Sequence, residues 1–463
     1  MDSDPTSDPP LSIISPPHFV GDTAPVAPVT EPCQLHPAAA MPRHRQIAFG
    51  VVAMLLASAV ISALFAPGKF IPDSLFQYDY ALRDSYTDWH TPILEGVWGF
   101  FDTPPEYVLL LFVTMIMVSA MLLVTSETSV TWAASTVVLV CLWPMSLEVL
   151  TTITKDDWFA GFFLAGAAVS ALAVRTRGRA RTVAFVSIGA LWWLAVAARH
   201  NAVVPIVMAL IFGWPIVAAD GRRRWLSRHG IKRIGLSLAI AVGTLLTQHV
   251  YVSAVVRPQH THPEQVGYQF DLAALSLRTH QMLLPASSLR PGADLAAIRR
   301  HWAEADSDPL WFSQDSPVVF FVAPEDVDEL RTAWINAVEH HPVEYVEHRL
   351  SYTLSLLGVT HRTVRIFWPP QKPSDAGFHY SISPDYAPWM RAWYERTIAT
   401  SDVFASFRLW MFMVVLIGVG ITRRGRHSIA VRTLVAAGLG STLSFALAGA
   451  TGAFRYSWFT MLC

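Results

Sequence analysis

Acids and aromatic rings crowd into residues 70–101, FIPDSLFQYDYALRDSYTDWHTPILEGVWGFF, directly after the first long apolar run. Asp73, Asp79, Asp84, Asp88 and Glu95 alternate there with Phe, Tyr and Trp side chains. A solvated loop needs no rings and a core strand no acids. Together, beside an apolar run, they describe an acidic pocket at the headgroup level of a membrane. Asp73 is followed by Leu75, Tyr78, Leu82 and Tyr86 at helical spacing, so a short interfacial helix would carry this acid at its N-terminus. A carboxylate in that plane can take the proton from a hydroxyl as its oxygen attacks a phosphate-activated, lipid-linked carbon. The plainer reading is capping: Ser74 and Gln77 match a capping box, and Asp73 would favour the helix dipole.

Four further groups fit the same chemistry. In Asp88-Trp89-His90 an indole flanked by an acid and an imidazole suits sugar stacking, although a belt tryptophan with solvated neighbours has the same pattern. Lys155-Asp156-Asp157 stands between two apolar runs; Lys155 would neutralise a phosphate, and Asp156 or Asp157 would bind a divalent ion or orient an acceptor. Its plain alternative is snorkelling to water. Arg199-His200-Asn201 separates two apolar runs by three residues, where polar groups serve a tight turn and an arginine at headgroup depth serves a phosphate. Arg455-Tyr456 repeats that placement after the last run, and cations there would stabilise a departing phosphate oxyanion. His260/His262 and His340/His341 match no metal-ligand spacing and read as loop and helix-end residues.

The elements that must position these groups follow from composition. Of 463 residues 52% are hydrophobic and 15% charged, with a mean hydropathy of +0.37. A soluble domain carries about 25% charged residues, so this is a polytopic, all-α membrane protein. Its net charge of −1 gives no reason to expect nucleic acid. About nine spans are expected, at 47–66, 107–124, 130–147, 158–174, 182–198, 202–218, 234–255, 409–421 and 433–448. Arginine-rich loops at 175–181, 221–233 and 422–432 lie on one side and the acidic loop on the other, so the N-terminus is expected inside and every candidate site outside. Four regions result. Residues 1–45 form a Pro/Ser-rich, disordered cytoplasmic tail, and 46–256 hold seven spans with the acidic outer loop at 67–105. Residues 257–406 form a mainly helical extracytoplasmic domain, and 407–463 the last spans. In that domain Val327, Leu330, Trp334 and Val338 form one helical stripe, and 345–359 reads as an interfacial helix. Cys33, Cys141 and Cys463 have no framework or CxxC spacing, so neither a disulfide nor structural zinc is expected.

The ordered set Asp73-Ser74-Gln77-Ala81, Asp88-Trp89-His90, Lys155-Asp156, Arg199-His200-Asn201, His341-Pro342-Tyr345-His348-Arg349 and Arg455-Tyr456 resembles the GT-C superfamily of integral-membrane glycosyltransferases. It is distantly similar to the protein O-mannosyltransferases and the lipid A aminoarabinose transferase, and closer to a poorly characterised bacterial branch. The resemblance covers about residues 47–456 and implies Asp73 as catalytic base, Lys155 and Arg455 as phosphate ligands, and a further span after Tyr456. Many members carry an acidic pair where Asp73-Ser74 stands, so a divalent metal is left open with no ligand assigned. The expectation is an inverting transferase in the plasma membrane. It would move a sugar from a polyprenyl-phosphate donor to a cell-envelope glycan, lipid or protein, among membrane lipids. Asp88 and His90 would position donor or acceptor beside Trp89, with Lys155, Arg199 and Arg455 at the phosphate. A multipass transporter or lipid flippase is the rival; it would favour charged spans and repeated halves, and the spans here are nearly free of charge. A non-catalytic scaffold would leave the acidic loop without a purpose.

Overall fold

A computed structural model of the chain describes residues 41–83, 85–101, 105–126, 128–173, 176–213, 228–304, 306–357, 359–360, 388–399 and 429–449. Packing divides the chain into Met1–Arg43 and His44–Cys463, and the second unit carries the fold. Residues 1–40 of the expected tail, residues 361–387, the span expected at 409–421 and the Arg455-Tyr456 pair lie outside the described residues. Within them the secondary structure is helical, with three isolated β-bridges in place of a sheet.

Among the described residues four helices are long and apolar enough to cross a membrane: Arg43–Phe65, Tyr107–Val124, Arg179–Ala198 and Ile234–Val256. The outward faces of the first and last are apolar, with Phe49, Leu56, Val60, Leu246 and Val250 exposed. Hydrophobic faces left uncovered over several turns mark a membrane protein. Among those residues a fifth span arises if Val130–Leu142 and Pro144–Leu150, bent by 80°, are one crossing. The run expected as one span over 130–147 is thus broken at Pro144. A proline has no N–H and disfavours helical backbone in the preceding residue. Trp143 accordingly takes φ −59° and ψ 128°, and the chain turns. The remaining expected spans are not established as crossings. The helix over Lys155–Ala173 opens on three charges. The 202–218 run is described only to Gly213, and the 433–448 run is a short apolar helix, Arg432–Leu447.

In chain order the helices are α1 (Arg43–Phe65), α2 (Pro72–Arg83), α3 (Pro92–Phe101), α4 (Pro105–Val124), α5 (Val130–Leu142) and α6 (Pro144–Leu150). Next come α7 (Lys155–Ala173), α8 (Arg179–Ala198), α9 (Val203–Gly213) and α10 (Arg228–Tyr251). Then follow α11 (Gln265–Thr279), α12 (Leu295–His301), α13 (Asp308–Phe312), α14 (Val327–His340), α15 (Pro342–Leu356), α16 (Pro388–Ala399) and α17 (Ile429–Ala448). The centre is α7, packed between α4 and α8. Its small residues allow the close approach: a Cβ on Gly166 would meet the Trp192 ring at 2.4 Å. The bent α6 is covered by α16, where Trp389, Trp393 and Tyr394 surround the Phe65 ring at centroid distances of 5.5, 5.2 and 6.2 Å.

A second cluster is built on α11, against which α14 and α15 pack. Val327 and Leu330 of the expected α14 stripe are buried there, with Trp334 packed beside them. The carboxylate of Asp271 on α11 organises the rest. It accepts from Trp334 Nε1 at 2.9 Å and Arg349 Nη2 at 2.8 Å, and lies 3.1 Å from His348 Nε2. The HPxxYxxHR run therefore closes a buried polar network. Arg349 Nη1 also donates to Gly449 O at 2.6 Å, which fastens this cluster to the end of α17.

α17 lies against α9, and a glycine sets their distance. A Cβ at Gly440 would stand 2.7 Å from Pro205 Cα, a backbone atom that cannot step aside. Gly→Ala normally stabilises a helix interior by about 0.5–1 kcal/mol. Gly440→Ala is expected to do the reverse, costing about 1–3 kcal/mol through overpacking. The open position Gly243, with nothing within 4 Å, is expected to tolerate Ala without loss. Melting of the detergent-purified variants measures both; equal melting temperatures would show that α9 and α17 are not in contact.

Candidate functional site

The segments before α2, before α7, before α9 and before α3 meet at one end of the bundle. The first junction is between the α1–α2 connection and the α6–α7 connection. Lys69 N donates to Thr151 O at 2.8 Å, and Ile153 N returns a bond to Lys69 O at 3.0 Å. The Lys69 ammonium forms a buried ion pair with Glu148 and lies 5.0 Å from the centroid of the Tyr394 ring. The Tyr394 hydroxyl reaches Thr151 Oγ1 at 3.2 Å. Neither Lys69 nor Glu148 was singled out beforehand. A lone acid in the apolar run PMSLEVL was the available signal, since a carboxylate there needs a partner.

That junction places Asp73. The Ser74 hydroxyl donates to Ile153 O, two residues before Lys155, and this puts the N-terminus of α2 against the N-terminus of α7. Asp73 is half-buried in the first turn of α2. The expected short helix is present, with the expected acid in its first turn. The Ser74 hydroxyl accepts from Ile71 N at 3.5 Å at the helix start, as a cap does, and also donates across to the neighbouring segment.

The Lys-Asp-Asp run forms the first turn of α7, and each side chain has a separate contact. Lys155 Nζ lies 3.4 Å from His90 Nδ1. Asp156 is ion-paired with Arg199. Asp157 Oδ2 accepts from the Thr154 hydroxyl at 2.6 Å. Arg199 is the hub of the next turn: its Nε donates to Asn201 Oδ1 at 3.0 Å, and its guanidinium lies 4.9 Å from the Phe445 ring centroid. Asn201 Nδ2 reaches Ser444 Oγ at 3.4 Å, so the Arg-His-Asn turn is held to α17. His200 lies in that turn, at the start of a single 3-10 turn. The α3 entry completes the ring, with Thr91 Oγ1 donating to Ala198 O at 3.1 Å.

Asp88 and Trp89 face elsewhere. Both Asp88 oxygens hold the segment after α10: Oδ1 accepts from the Thr261 hydroxyl at 2.6 Å and from its backbone N–H, and Oδ2 lies 3.1 Å from His260 Nδ1. The Trp89 indole packs edge-on against Phe320 and Phe321, each 5.1 Å away between centroids. Both residues join the acidic loop to the α11 cluster. His90 is the member of that trio that turns towards Lys155. Among the described residues no three His, Cys, Asp or Glu side chains gather closely enough to hold a metal ion.

Glu95 was counted among the loop acids and given no role. It is 1% exposed, and among the described residues neither carboxyl oxygen has a hydrogen-bond partner. Burial pushes its carboxyl up to about 9, with Lys155 pulling it back. This end of the bundle therefore gathers a half-buried acid, a lysine beside a histidine, an arginine paired with an acid and a buried carboxyl raised by burial. No protein-family model, curated protein or solved structure matches the chain.

The Glu95 carboxyl keeps its proton to about pH 9 in the fold and loses it near its ordinary 4.5 when unfolded. The folded state thus binds more protons in that interval, and stability falls as pH rises through it. Glu95→Gln is expected to flatten this decline. Thermal melts of both proteins between pH 5 and 9 test it; parallel slopes would show that Glu95 is ionised in the folded protein.

Proposed function

We propose that this chain is a membrane glycosyltransferase that uses a polyprenyl-phosphate-linked sugar and acts on an extracytoplasmic glycan, lipid or protein acceptor. One observation carries the reading: the Ser74–Ile153 contact brings the helix start bearing Asp73 to the helix start bearing Lys155, with Arg199 paired to the next residue of that turn. An acid and two cations thereby share one end of an apolar bundle. A lipid phosphate confined to the membrane plane would find its proton acceptor and its charge partners together there.

In the reaction the acceptor hydroxyl gives its proton to the Asp73 carboxylate as its oxygen bonds to the anomeric carbon. The bond from that carbon to the phosphate oxygen breaks, and polyprenyl phosphate leaves as the anion. A single displacement inverts the anomeric centre. Negative charge grows on the leaving oxygen, so Lys155 favours the transition state over the ground state. Arg199 enters with Asp156 as a pair, which keeps the guanidinium in place and tempers its charge. Arg455 is assigned to the same phosphate on the resemblance, and Tyr456 to substrate binding beside it. Asp88 and Trp89 anchor the loop, and His90 orients Lys155. The finer topology belongs to this reading as well: about nine spans, a cytoplasmic N-terminus, an outer helical domain at 257–406 and a plasma-membrane setting. That topology follows the arginine-rich loops.

The observation that favours the rival transporter or flippase is the buried Lys69–Glu148 pair, since intramembrane charges often line ion pathways. Its backbone bonds on both sides and the Tyr394 cover suit a fixed latch better than a carrier group.

Asp73→Asn is expected to lower sugar transfer by membrane fractions about 10²–10⁴-fold at unchanged expression, the usual worth of a general base. Wild-type turnover in that variant would remove Asp73 from the chemistry and the main support for the reading.

A further inference from the structure

Glu95 has no part in the mechanism just described, yet it is the group in this region whose burial most needs explaining. Its α3 helix packs on α2 and α8 and touches the turn Val252–Val256. The titratable and charged groups around it come from separate elements. Tyr80 and Asp79 stand on α2, and the Tyr80 phenol is raised by burial with a smaller push from Glu95. Lys155 stands on α7 and acts on the Glu95 carboxyl from there; His90, buried in the preceding loop, touches Lys155. Arg199 and Asp156 follow, paired with each other, and Val252–Val256 brings no charge. Among the described residues none of these hydrogen-bonds to either Glu95 oxygen. Buried polar atoms are nearly always partnered, and leaving both oxygens of a carboxyl bare is costly. A ligand is the natural partner for such a group in a site.

The kind of ligand follows from the charge state and the neighbours. A neutral carboxyl offers one O–H donor and a carbonyl acceptor side by side. Two adjacent hydroxyls of a sugar, each able to give and to take a hydrogen bond, match that pair. An anionic group would find one donor and a repelling lone pair. A protonated amine would need the carboxyl ionised and would sit beside the Lys155 ammonium. We infer that Glu95 is the sugar-contacting residue of this same site, its carboxyl exchanging hydrogen bonds with two neighbouring hydroxyls of an uncharged sugar on the donor lipid. The inference rests on the glycosyl-transfer reading and adds the chemical class of the sugar.

The test uses the full chain in lipid nanodiscs and measures dissociation constants for five probes. These are bare polyprenyl phosphate and its glucosyl, mannosyl, galactosyl and glucosaminyl derivatives. The wild type is expected to bind at least one uncharged hexosyl lipid about tenfold or more tighter than the bare lipid, the worth of one or two hydrogen bonds. The glucosaminyl lipid is expected to gain nothing. Glu95→Leu is expected to erase the hexose advantage and leave the bare-lipid constant unchanged. It removes no hydrogen bond within the described residues, so a thermal melt should register it as folded. Glu95→Gln, also a neutral donor and acceptor, is expected to keep most of the advantage. Retained preference in Glu95→Leu, loss in Glu95→Gln as complete as in Glu95→Leu, or a preference for the amino sugar would overturn the inference. So would a wild type that binds bare and hexosyl lipids equally, which leaves the transferase reading standing. A wild type that binds no polyprenyl phosphate at all would overturn both.

Discussion

Lys69 and Glu148 meet 79 positions apart in the chain, and both are closed off from water. Neither charge could rest there alone, because transfer out of water costs several kcal/mol per ion even after relaxation. The pair does not need to be a strong source of stability to matter. What it supplies is uniqueness: the connection before α2 and the bent end of α6 have one register in which both charges are met. The two-way backbone bonds between Lys69 and the 151–153 segment fix that register a second time. Ser74 can then reach Ile153, and the start of α2 comes to rest on the start of α7. The position of Asp73 is a consequence of a contact four residues earlier in the chain.

The same constraint explains why each charge at this end has a designated neighbour. Asp156 has Arg199, Asp157 has Thr154, and Lys155 has His90. An apolar bundle that gathers charge at one end must hold it without letting the helices drift apart, and pairing across elements does both. α7 meets α8 through Asp156 and Arg199, and the turn after α8 meets α17 through Asn201 and Ser444. Glu95 departs from this pattern by staying neutral, which is the other route open to a buried carboxyl.

Beyond the bundle, a second layer of polar contacts holds the α11 cluster over the same end. Asp88 binds the segment after α10, and Asp271 gathers Trp334, His348 and Arg349, whose guanidinium reaches back to Gly449. Two motifs that look like chemistry in the sequence, Asp-Trp-His and the His-Arg pair, thus serve largely to fasten this layer. Both are rich in groups able to form several hydrogen bonds, which catalysis and anchoring require alike.

The helical class, the membrane character, the amphipathic stripe of α14 and the acid at the start of α2 were legible in the residues. Each depends on local periodicity or on the hydropathy of one stretch, and neighbours in sequence are enough to reveal these. The break at Pro144 is legible too, although an apolar run of spanning length masks the signal of a single residue. The pairing of Lys69 with Glu148, the role of Asp88 as an anchor, the centre at Asp271 and the bare burial of Glu95 could not be read that way. Each is a relation between segments far apart in the chain, and an acid's character depends on which cation or donor folding brings to it. Residue type determined which groups could carry charge here; only the tertiary structure decided which of those charges are already met.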